Sequence, residues 1–138
     1  KIFFSIITPV LNQPKIKNNF NSLKKQSFKD FEHIVIDGVS DKKTLSLIKK
    51  NKKNISKLII EKDNGIYDAI NKGIKLSKGQ VIGILNADDY YYKNTLKIVY
   101  KYFLYNKNVD YLFVPMNIYS LTSFLILFFA KPFFFGFV

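Results

Sequence analysis

The sequence predicts an α/β fold: a mostly parallel, doubly wound sheet with helices on both faces, in a three-layer α/β/α architecture. Apolar runs of strand length alternate with segments whose apolar residues recur at helical spacing. Helices between strands are typical of right-handed crossovers, which place successive strands parallel. Three apolar runs end in a carboxylate or an Asp-Gly turn, at residues 34–38, 58–65 and 81–89. Because parallel strands end at one edge of a sheet, we expect a ligand site at that edge.

Five strands are predicted from apolar runs that are bounded by turn-forming residues. The first stops where Pro9 and Pro14 bracket a loop, and the second stops at the Asp37-Gly38 turn. The fourth is apolar throughout, as expected for a strand that is buried on both faces. The predicted ranges are 3–8, 32–36, 58–61, 80–85 and 110–115.

Four helices are predicted between the strands, at residues 15–26, 42–53, 66–77 and 93–105. The first spaces its apolar residues along one face, and the second sets leucines and an isoleucine among lysines. In the third helix, Gly73 costs about 1 kcal/mol relative to alanine. We therefore expect Gly73 to let this helix pack closely on the sheet.

A strongly apolar tail ends the sequence, and Lys131 is the only charged residue between residues 121 and 138. Residues 121–130 are too few to span a bilayer, which takes about 20 helical residues, and Pro132 interrupts the run. We expect a helix that packs on the sheet or on a part of the protein outside this sequence. The alternative is a segment that lies in the membrane interface. The predicted organisation is a domain of residues 1–117 and a hydrophobic tail of residues 118–138.

The composition of the 138 residues excludes several kinds of site. The chain has no cysteine and a single histidine, so disulfides, thiolate sites and histidine triads lack the necessary residues, and any metal would be a hard cation on oxygen ligands. The net charge is +12, and all 22 basic residues are lysines, which removes the arginine contacts of specific DNA recognition. We expect no specific nucleic-acid partner. The lysines fit either an AT-rich genome or a weak attraction to an anionic membrane surface.

Two carboxylate motifs at strand ends carry candidate chemistry. Asp88 and Asp89 follow the most apolar strand, and such a pair can divide its roles: one carboxylate takes a ribose hydroxyl while the other binds Mg²⁺ or Mn²⁺ together with ligand phosphates. The alternative is that one of them caps the next helix. Asp37, after the second strand, can accept a hydrogen bond from a pyrimidine imide N–H, although a plain turn also explains this residue.

Four stretches, in their order and spacing, resemble the family-2 glycosyltransferases. They are SIITPVLN at residues 5–12, VIDGVSD at 35–41, DNGIYDAINKG at 63–73 and GQVIGILNADD at 79–89. The resemblance extends over residues 2–115. It implies the GT-A (nucleotide-diphospho-sugar transferase) fold, truncated on the acceptor side, and sugar transfer that inverts the anomeric centre. The third stretch is similar to members that build bacterial capsule, exopolysaccharide or lipopolysaccharide.

The resemblance also implies a role for particular residues. Thr8, Pro9 and Asp37 would line a base pocket, Asp63 and Asp88 would lie near base and ribose, and Asp89 would bind the divalent metal, Mg²⁺ or Mn²⁺. Asn12 belongs to the same loop as Thr8, and Asn71 lies where the third helix can face the ligand. The expected donor-binding residues are Thr8, Pro9, Asn12, Asp37, Asp63, Asn71 and Asp88.

Three departures from the family pattern qualify this expectation. Val39 stands where the family usually has glycine, and Asn86 where it has the first aspartate of the strand-end motif. No acidic residue follows Asp110 and no histidine follows His33, so the general base that would deprotonate an acceptor hydroxyl is not in this sequence. The chain is then either the donor-binding half of a longer enzyme or a catalytically inactive remnant or membrane-associated subunit.

The expected partners are a nucleotide-diphospho-sugar, UDP-linked, and a saccharide or lipid-linked acceptor in surface polysaccharide biosynthesis. Other doubly wound phosphate-handling proteins, such as receivers and phosphatases, place their key aspartates after the first strand, where this chain has Thr8-Pro9. The opening run predicts a strand rather than a cleavable signal peptide. We therefore expect a cytoplasmic protein, with contact at the inner face of the cytoplasmic membrane as a further option.

Overall fold

The computed structural model describes residues 1–115 and 125–130, and these form one six-stranded sheet flanked by helices. The strands are β1 (Phe4–Val10), β2 (Phe31–Asp37), β3 (Lys57–Ile60), β4 (Val81–Ile84), β5 (Tyr111–Pro115) and β6 (Leu125–Ala130). The helices are α1 (Ile16–Lys24), α2 (Lys42–Lys50), α3 (Ile66–Leu76) and α4 (Thr95–Tyr105), with a 3-10 turn at Lys52–Asn54. The predicted α/β class and element order are confirmed for these residues.

The sheet has the strand order β3-β2-β1-β4-β6-β5. β1 lies between β2 and β4 and runs parallel to both, and β3 is parallel to β2. Val10 pairs with Asp37, and Asp37 with Ile60, so the carboxyl ends of β1, β2 and β3 stand level. β6 is antiparallel to both β4 and β5. The sheet is therefore mostly parallel, as predicted, and the ends of β1 to β4 share one edge.

The tail differs from the predicted helix, because residues Leu125–Ala130 form a strand inside the sheet. Phe128 of this strand is fully buried and lies opposite Gly83 of β4. A Cβ atom on Gly83 would lie 2.7 Å from the Phe128 ring, so the glycine makes room for the aromatic side chain. The prediction was wrong because a short apolar run has no periodicity that separates a buried strand from a buried helix. Residues 121–124 and 131–138 lie outside the described residues.

The sequence also predicts a domain boundary after residue 117, with the alternative that the tail lies in the membrane interface. The division of the chain after residue 117 remains a prediction. No helix within residues 1–115 and 125–130 is both long and apolar enough to cross a membrane.

The core lies on both faces of the sheet, because successive side chains of β1 point to opposite sides. On one face, Phe4 and Ile6 pack with residues of α1 and α4, and Val10 packs with residues of α1 and α2. On the other face, Ile7 packs with residues of α3. This arrangement gives the three layers that the sequence predicts.

The close approach of α3 to the sheet depends on Gly73. A Cβ atom at this position would lie 2.5 Å from Cγ2 of Ile7, a distance that real Cβ contacts essentially never show. The expectation that Gly73 allows tight helix packing is confirmed. The beginning of α3 is thereby held close to the ends of β1 and β2, where the candidate site lies.

Candidate functional site

The candidate site lies at the carboxyl edge of the parallel strands, where the segments that follow β1, β2, β3 and β4 meet. Asp37 is the last residue of β2, and Asp63 lies between β3 and α3. Asp88 and Asp89 lie in the segment that follows β4. Parallel pairing therefore brings the carboxylates to the same edge of the sheet, as the strand-end pattern predicted.

Asp37 is a buried carboxylate with one oxygen that lacks a partner. Its side chain is fully buried, and Oδ2 accepts a hydrogen bond of 3.0 Å from the backbone N–H of Ser40. Oδ1 has no hydrogen-bond partner among the described residues. A buried acceptor without a partner costs about 1–3 kcal/mol, and more when it is charged. Such a group is expected where a ligand supplies the missing donor.

Asp63 lies against the tip of β2, close to Asp37. Its Oδ1 accepts a hydrogen bond of 3.1 Å from Gly65 N, which closes the turn before α3. Its Oδ2 lies 2.8 Å from the position that a Cβ atom would take on Gly38. The small size of Gly38 therefore leaves room for the Asp63 carboxylate in this position, and a larger residue there would push that carboxylate aside.

The turn after β2 is held by hydrogen bonds to the loop after β1. Asn12 N donates to Ser40 Oγ at 2.9 Å, and Asn12 Oδ1 accepts from Asp41 N at 2.7 Å. Asp41 in turn caps α2, since its Oδ1 accepts from Thr44 N at 2.8 Å. The Asn12 side chain thus braces the loops, and Asp41 stands at the start of α2 as its capping residue.

The turn before α3 is held by an ionic cluster. Asp68 accepts a hydrogen bond of 3.0 Å from Asn64 N, and this bond is the main cause that holds the pKa of Asp68 below its usual value. Lys72 lies 3.3 Å from Asp68 and 3.0 Å from Glu61. Asp68 therefore supports the turn that presents Asp63.

Asp89 is a half-buried carboxylate next to a second carboxylate. Burial, followed by the negative charge of Asp88, raises the pKa of Asp89 above its usual value. Asn86 Nδ2 donates to Asp89 Oδ2 at 3.3 Å. Neither aspartate caps α4, because the residue at that helix start is Asn94. The capping alternative is therefore wrong.

The donor set at this edge fits a hard divalent cation that shares its coordination sphere with a ligand. Two adjacent carboxylates repel each other, and a cation between or beside them would relieve that repulsion. Within residues 1–115 and 125–130, no group of three or more histidines, cysteines or carboxylates could hold a metal by itself. Mg²⁺ and Mn²⁺ sites in phosphate-handling enzymes commonly use one or two carboxylates and complete their shell with phosphates and water.

Three further residues that are expected to line the binding site are buried or only partly exposed. Thr8 is fully buried, and its Oγ1 hydrogen bonds to His33 Nε2 at 2.9 Å, so its side chain lies in the interior and does not line an open surface. Pro9 is also buried, as part of β1. Asn71 lies in the second turn of α3 and is partly exposed.

His33 is the buried partner of Thr8. Burial lowers the pKa of His33 to about 3, so its imidazole is neutral at ordinary pH. The buried position of this histidine agrees with a structural role.

Sequence reasoning missed a set of buried polar residues on α1. Asn19, Ser22 and Gln26 lie on the inner side of this helix or just after it and hydrogen bond to the segment between β4 and α4. The signal that could have revealed them is their spacing of three and four residues, which places them beside the apolar residues of the helix.

Val39 occupies a strained backbone conformation beside the site. Its φ of +67° is in the left-handed region, which a β-branched residue rarely adopts, and its side chain is 56% exposed. Glycine suits this φ without a steric penalty, which explains why the family usually has glycine at this position.

We predict that Val39→Gly raises the free energy of unfolding by about 1 kcal/mol, because relief of the left-handed strain exceeds the entropy that glycine adds to the unfolded chain. Urea denaturation measures the change. Val39→Ala keeps the Cβ atom and is the matched control, expected to stay within about 0.5 kcal/mol of the wild type. Equal gains in the two variants would show that backbone strain is not the cause.

The chain matches a protein-family model and several named relatives. The model described as "Glycosyl transferase family 2" matches residues 5–126. A PGL/p-HBAD biosynthesis glycosyltransferase of Mycobacterium bovis is 35% identical over 94 residues, which are 65% of this chain and 37% of the relative. The poly(ribitol-phosphate) beta-N-acetylglucosaminyltransferase TarS of Staphylococcus aureus is 36% identical over 100 residues, which are 68% of this chain and 18% of TarS.

Solved structures share the fold. S. aureus TarS 1–349 superposes with a TM-score of 0.80 over 94% of this chain and 47% of that chain, at 23% identity. TarS 1–349 in complex with UDP-GlcNAc gives a TM-score of 0.75 at 29% identity, over 83% of this chain and 34% of that chain. The mannosyltransferase PcManGT of Pyrobaculum calidifontis, in complex with GDP-Man and Mn²⁺, gives 0.71 at 21% identity, over 78% of this chain and 34% of that chain.

These relatives are longer than the chain, which spans less than half the length of each of them. The family match nevertheless covers most of the sequence, including each of the strand-end carboxylates described above. The chain belongs to glycosyl transferase family 2.

Proposed function

We propose that the chain binds the nucleotide-diphospho-sugar donor, UDP-linked, of an inverting glycosyltransferase. The observation that carries this proposal is the buried Asp37 carboxylate, which has one oxygen without a partner and lies beside Asp63 at the carboxyl edge of the sheet. A relative with 29% identity, TarS, has been solved in complex with UDP-GlcNAc, which supports a uridine nucleotide.

In this proposal, Asp37 recognises the base. Its free Oδ1 accepts the imide N–H of uracil, while Oδ2 keeps its bond to Ser40 N. Asp63 lies close enough to the β2 tip to contact the base or ribose. Thr8 and Asn12 act by holding the loops in place, since their side chains already have partners within the protein. Pro9 and Asn71 remain proposed contacts of the donor.

The second part of the donor site is the segment after β4. Asp88 is exposed and is proposed to bind a ribose hydroxyl, and Asp89 is proposed to hold Mg²⁺ or Mn²⁺. A divalent cation bound there would neutralise negative charge on the diphosphate leaving group. PcManGT, which shares the fold, has been solved with Mn²⁺ and its donor, and this supports a metal in the present chain.

The reaction proposed for the whole enzyme is the attack of an acceptor hydroxyl on the anomeric carbon as the bond to the diphosphate breaks, with inversion. The acceptor class is a saccharide or a lipid-linked saccharide of a surface polysaccharide. The many lysines are compatible with an enzyme that acts beside an anionic membrane at its cytoplasmic face.

A general base is required to take the acceptor proton, and the sequence after Asp110 contains no carboxylate or histidine. We therefore expect these 138 residues to bind the donor without transferring the sugar. A non-catalytic remnant is the second candidate, and this same absence favours it. Sugar transfer or donor hydrolysis by the chain, above a control without enzyme, would contradict both expectations.

We predict that Asp37→Asn weakens uridine and UDP binding by about tenfold to a hundredfold, because a hydrogen bond to a charged group contributes about 1.5–3 kcal/mol. The fold should persist, since the amide oxygen can still accept from Ser40 N. Isothermal titration with uridine, which has no phosphate, measures the effect on base recognition alone.

The matched control for this variant is Asp30→Asn, which changes an exposed carboxylate at the opposite edge of the sheet, just before β2. It should leave the uridine Kd unchanged. Unaltered uridine binding in Asp37→Asn would contradict the proposed role of Asp37. Absence of uridine and UDP binding by the wild-type chain would contradict the proposed function.

We predict that Asp89→Asn abolishes the rise in Tm that Mn²⁺ causes in the presence of UDP. The variant without ligands should be as stable as the wild type or more stable at pH 7. The sign follows from the raised pKa: the fold holds the Asp89 proton more tightly than the unfolded chain does, so ionisation of Asp89 destabilises the fold as the pH rises. In the wild type, the Mn²⁺ effect should shrink as acidification protonates Asp89. Differential scanning fluorimetry measures each of these quantities.

Asp110→Asn is the control for this second variant, because Asp110 is exposed and lies in the loop before β5. It should keep the full Mn²⁺ effect. An Mn²⁺ effect of wild-type size in Asp89→Asn would exclude Asp89 as the metal ligand.

A further inference from the structure

The side of α1 that faces the sheet, and the turn just after this helix, carry polar residues where apolar residues would pack without cost. Asn19, Ser22 and Gln26 are 0%, 8% and 1% exposed. Burying an amide or a hydroxyl without a partner costs about 1–3 kcal/mol, so these side chains are expected to form hydrogen bonds. All three do, although the Oδ1 atom of Asn19 has no partner among the described residues. The partners of these residues therefore show what the helix holds in place.

The partners of these three side chains include backbone groups in and next to one segment, residues 85–94, which joins β4 to α4 and contains the aspartates of the proposed metal site. Ser22 Oγ accepts from Tyr91 N at 3.1 Å. Gln26 donates to the carbonyl oxygen of Tyr92 at 2.7 Å and accepts from Leu96 N at 3.1 Å. The helix thus fixes the far end of a segment that has no regular secondary structure.

Asn19 holds the near end of the segment, next to the aspartates. Its Nδ2 donates to the carbonyl oxygen of Asn86 at 3.0 Å and to Thr8 Oγ1 at 3.2 Å. The backbone of Asn86 is thereby tied to both α1 and β1. The carbonyl oxygen of Asn86 also accepts a hydrogen bond from Asp89 N at 3.1 Å, which closes a turn. The side chain of Asn86 donates to Asp89 Oδ2 at 3.3 Å.

We propose that Asn19 is a positioning residue for Asp89: it fixes the Asn86 carbonyl, and Asn86 then fixes both the backbone and the carboxylate of Asp89. The inference rests on the proposed function, in which Asp89 holds the divalent cation. Thr8 belongs to the same hydrogen-bond network. Its hydroxyl forms hydrogen bonds with both Asn19 and the neutral His33, and this sets the orientation of the Asn19 amide.

A binding experiment with Asn19→Ala tests this role. The quantity to measure is the ratio of the UDP Kd in EDTA to the UDP Kd in saturating Mn²⁺, which reports the metal-dependent part of the affinity. Loss of a group that orients a metal ligand typically costs tenfold to a hundredfold in metal affinity. We expect the Mn²⁺ affinity of the UDP complex to fall by about tenfold or more, while the uridine Kd changes less than about twofold.

The matched control is Ser77→Ala. Ser77 is also buried, and its hydroxyl donates to the Gly73 carbonyl at the far end of α3, away from the segment after β4. It should lower Tm without changing the Mn²⁺ dependence. If Asn19→Ala and Ser77→Ala change the Mn²⁺ dependence equally, or if Asn19→Ala weakens uridine and UDP–Mn²⁺ binding equally, Asn19 has only a structural role.

A second variant decides the question if Asn19→Ala does not fold. Asn86→Ala removes the hydrogen bond to the Asp89 carboxylate but keeps the backbone carbonyl that Asn19 binds, and it should lower the Mn²⁺ affinity by a similar factor. Unchanged Mn²⁺ affinity in this variant would overturn the proposal.

A readout without metal separates this inference from the proposed function. Amide hydrogen exchange of Asp89 and Tyr91 should accelerate in Asn19→Ala while exchange in β1 and β2 does not, whether or not the wild type binds UDP. If the wild type binds no UDP, the proposed function fails and this exchange pattern alone decides whether Asn19 positions the segment. Unchanged exchange at Asp89 would overturn the positioning role.

Discussion

Parallel pairing of β1 with β2 and β4, and of β2 with β3, is the constraint on which the rest of the structure depends. It places the ends of four strands at one edge, with Asp37 in register with Val10 on one side and Ile60 on the other. Each carboxylate of the candidate site is the last residue of one of these strands or lies in the segment that follows it. A slip of one residue in β2 would turn Asp37 to the opposite face of the sheet and remove it from the base site.

The acidic residues of the chain differ in how well the fold satisfies them. Glu32 is buried at the opposite edge, but it accepts hydrogen bonds of 2.6 Å from both Ser5 Oγ and Lys78 N. Asp68 is satisfied by Asn64 and Lys72. Asp37, by contrast, keeps an oxygen without a partner among the described residues, and Asp89 has a raised pKa. Asp37 and Asp89, which the fold leaves costly, are two of the four carboxylates that the family resemblance assigns to the donor and its metal.

The strands, the helices and the edge on which the site lies could be predicted from the sequence, because periodicity and strand-end residues are local properties. The strand at Leu125–Ala130 could not be predicted, since the position between β4 and β5 that it fills exists only in the folded sheet. The sequence also does not show whether the Thr8 side chain faces a ligand or the protein interior. Alternation along β1 gives the face on which Thr8 lies, but only the packed α1 helix shows that Asn19 covers that face.

The most direct test of a single site at the carboxyl edge is paramagnetic broadening of amide NMR signals by Mn²⁺ in the presence of UDP. A site formed by the strand-end carboxylates predicts selective broadening of Gly38, Gly65 and Asp89, with Asp30 and Lys78 at the opposite edge left sharp. Broadening centred on the opposite edge, or spread evenly over the chain, would contradict it.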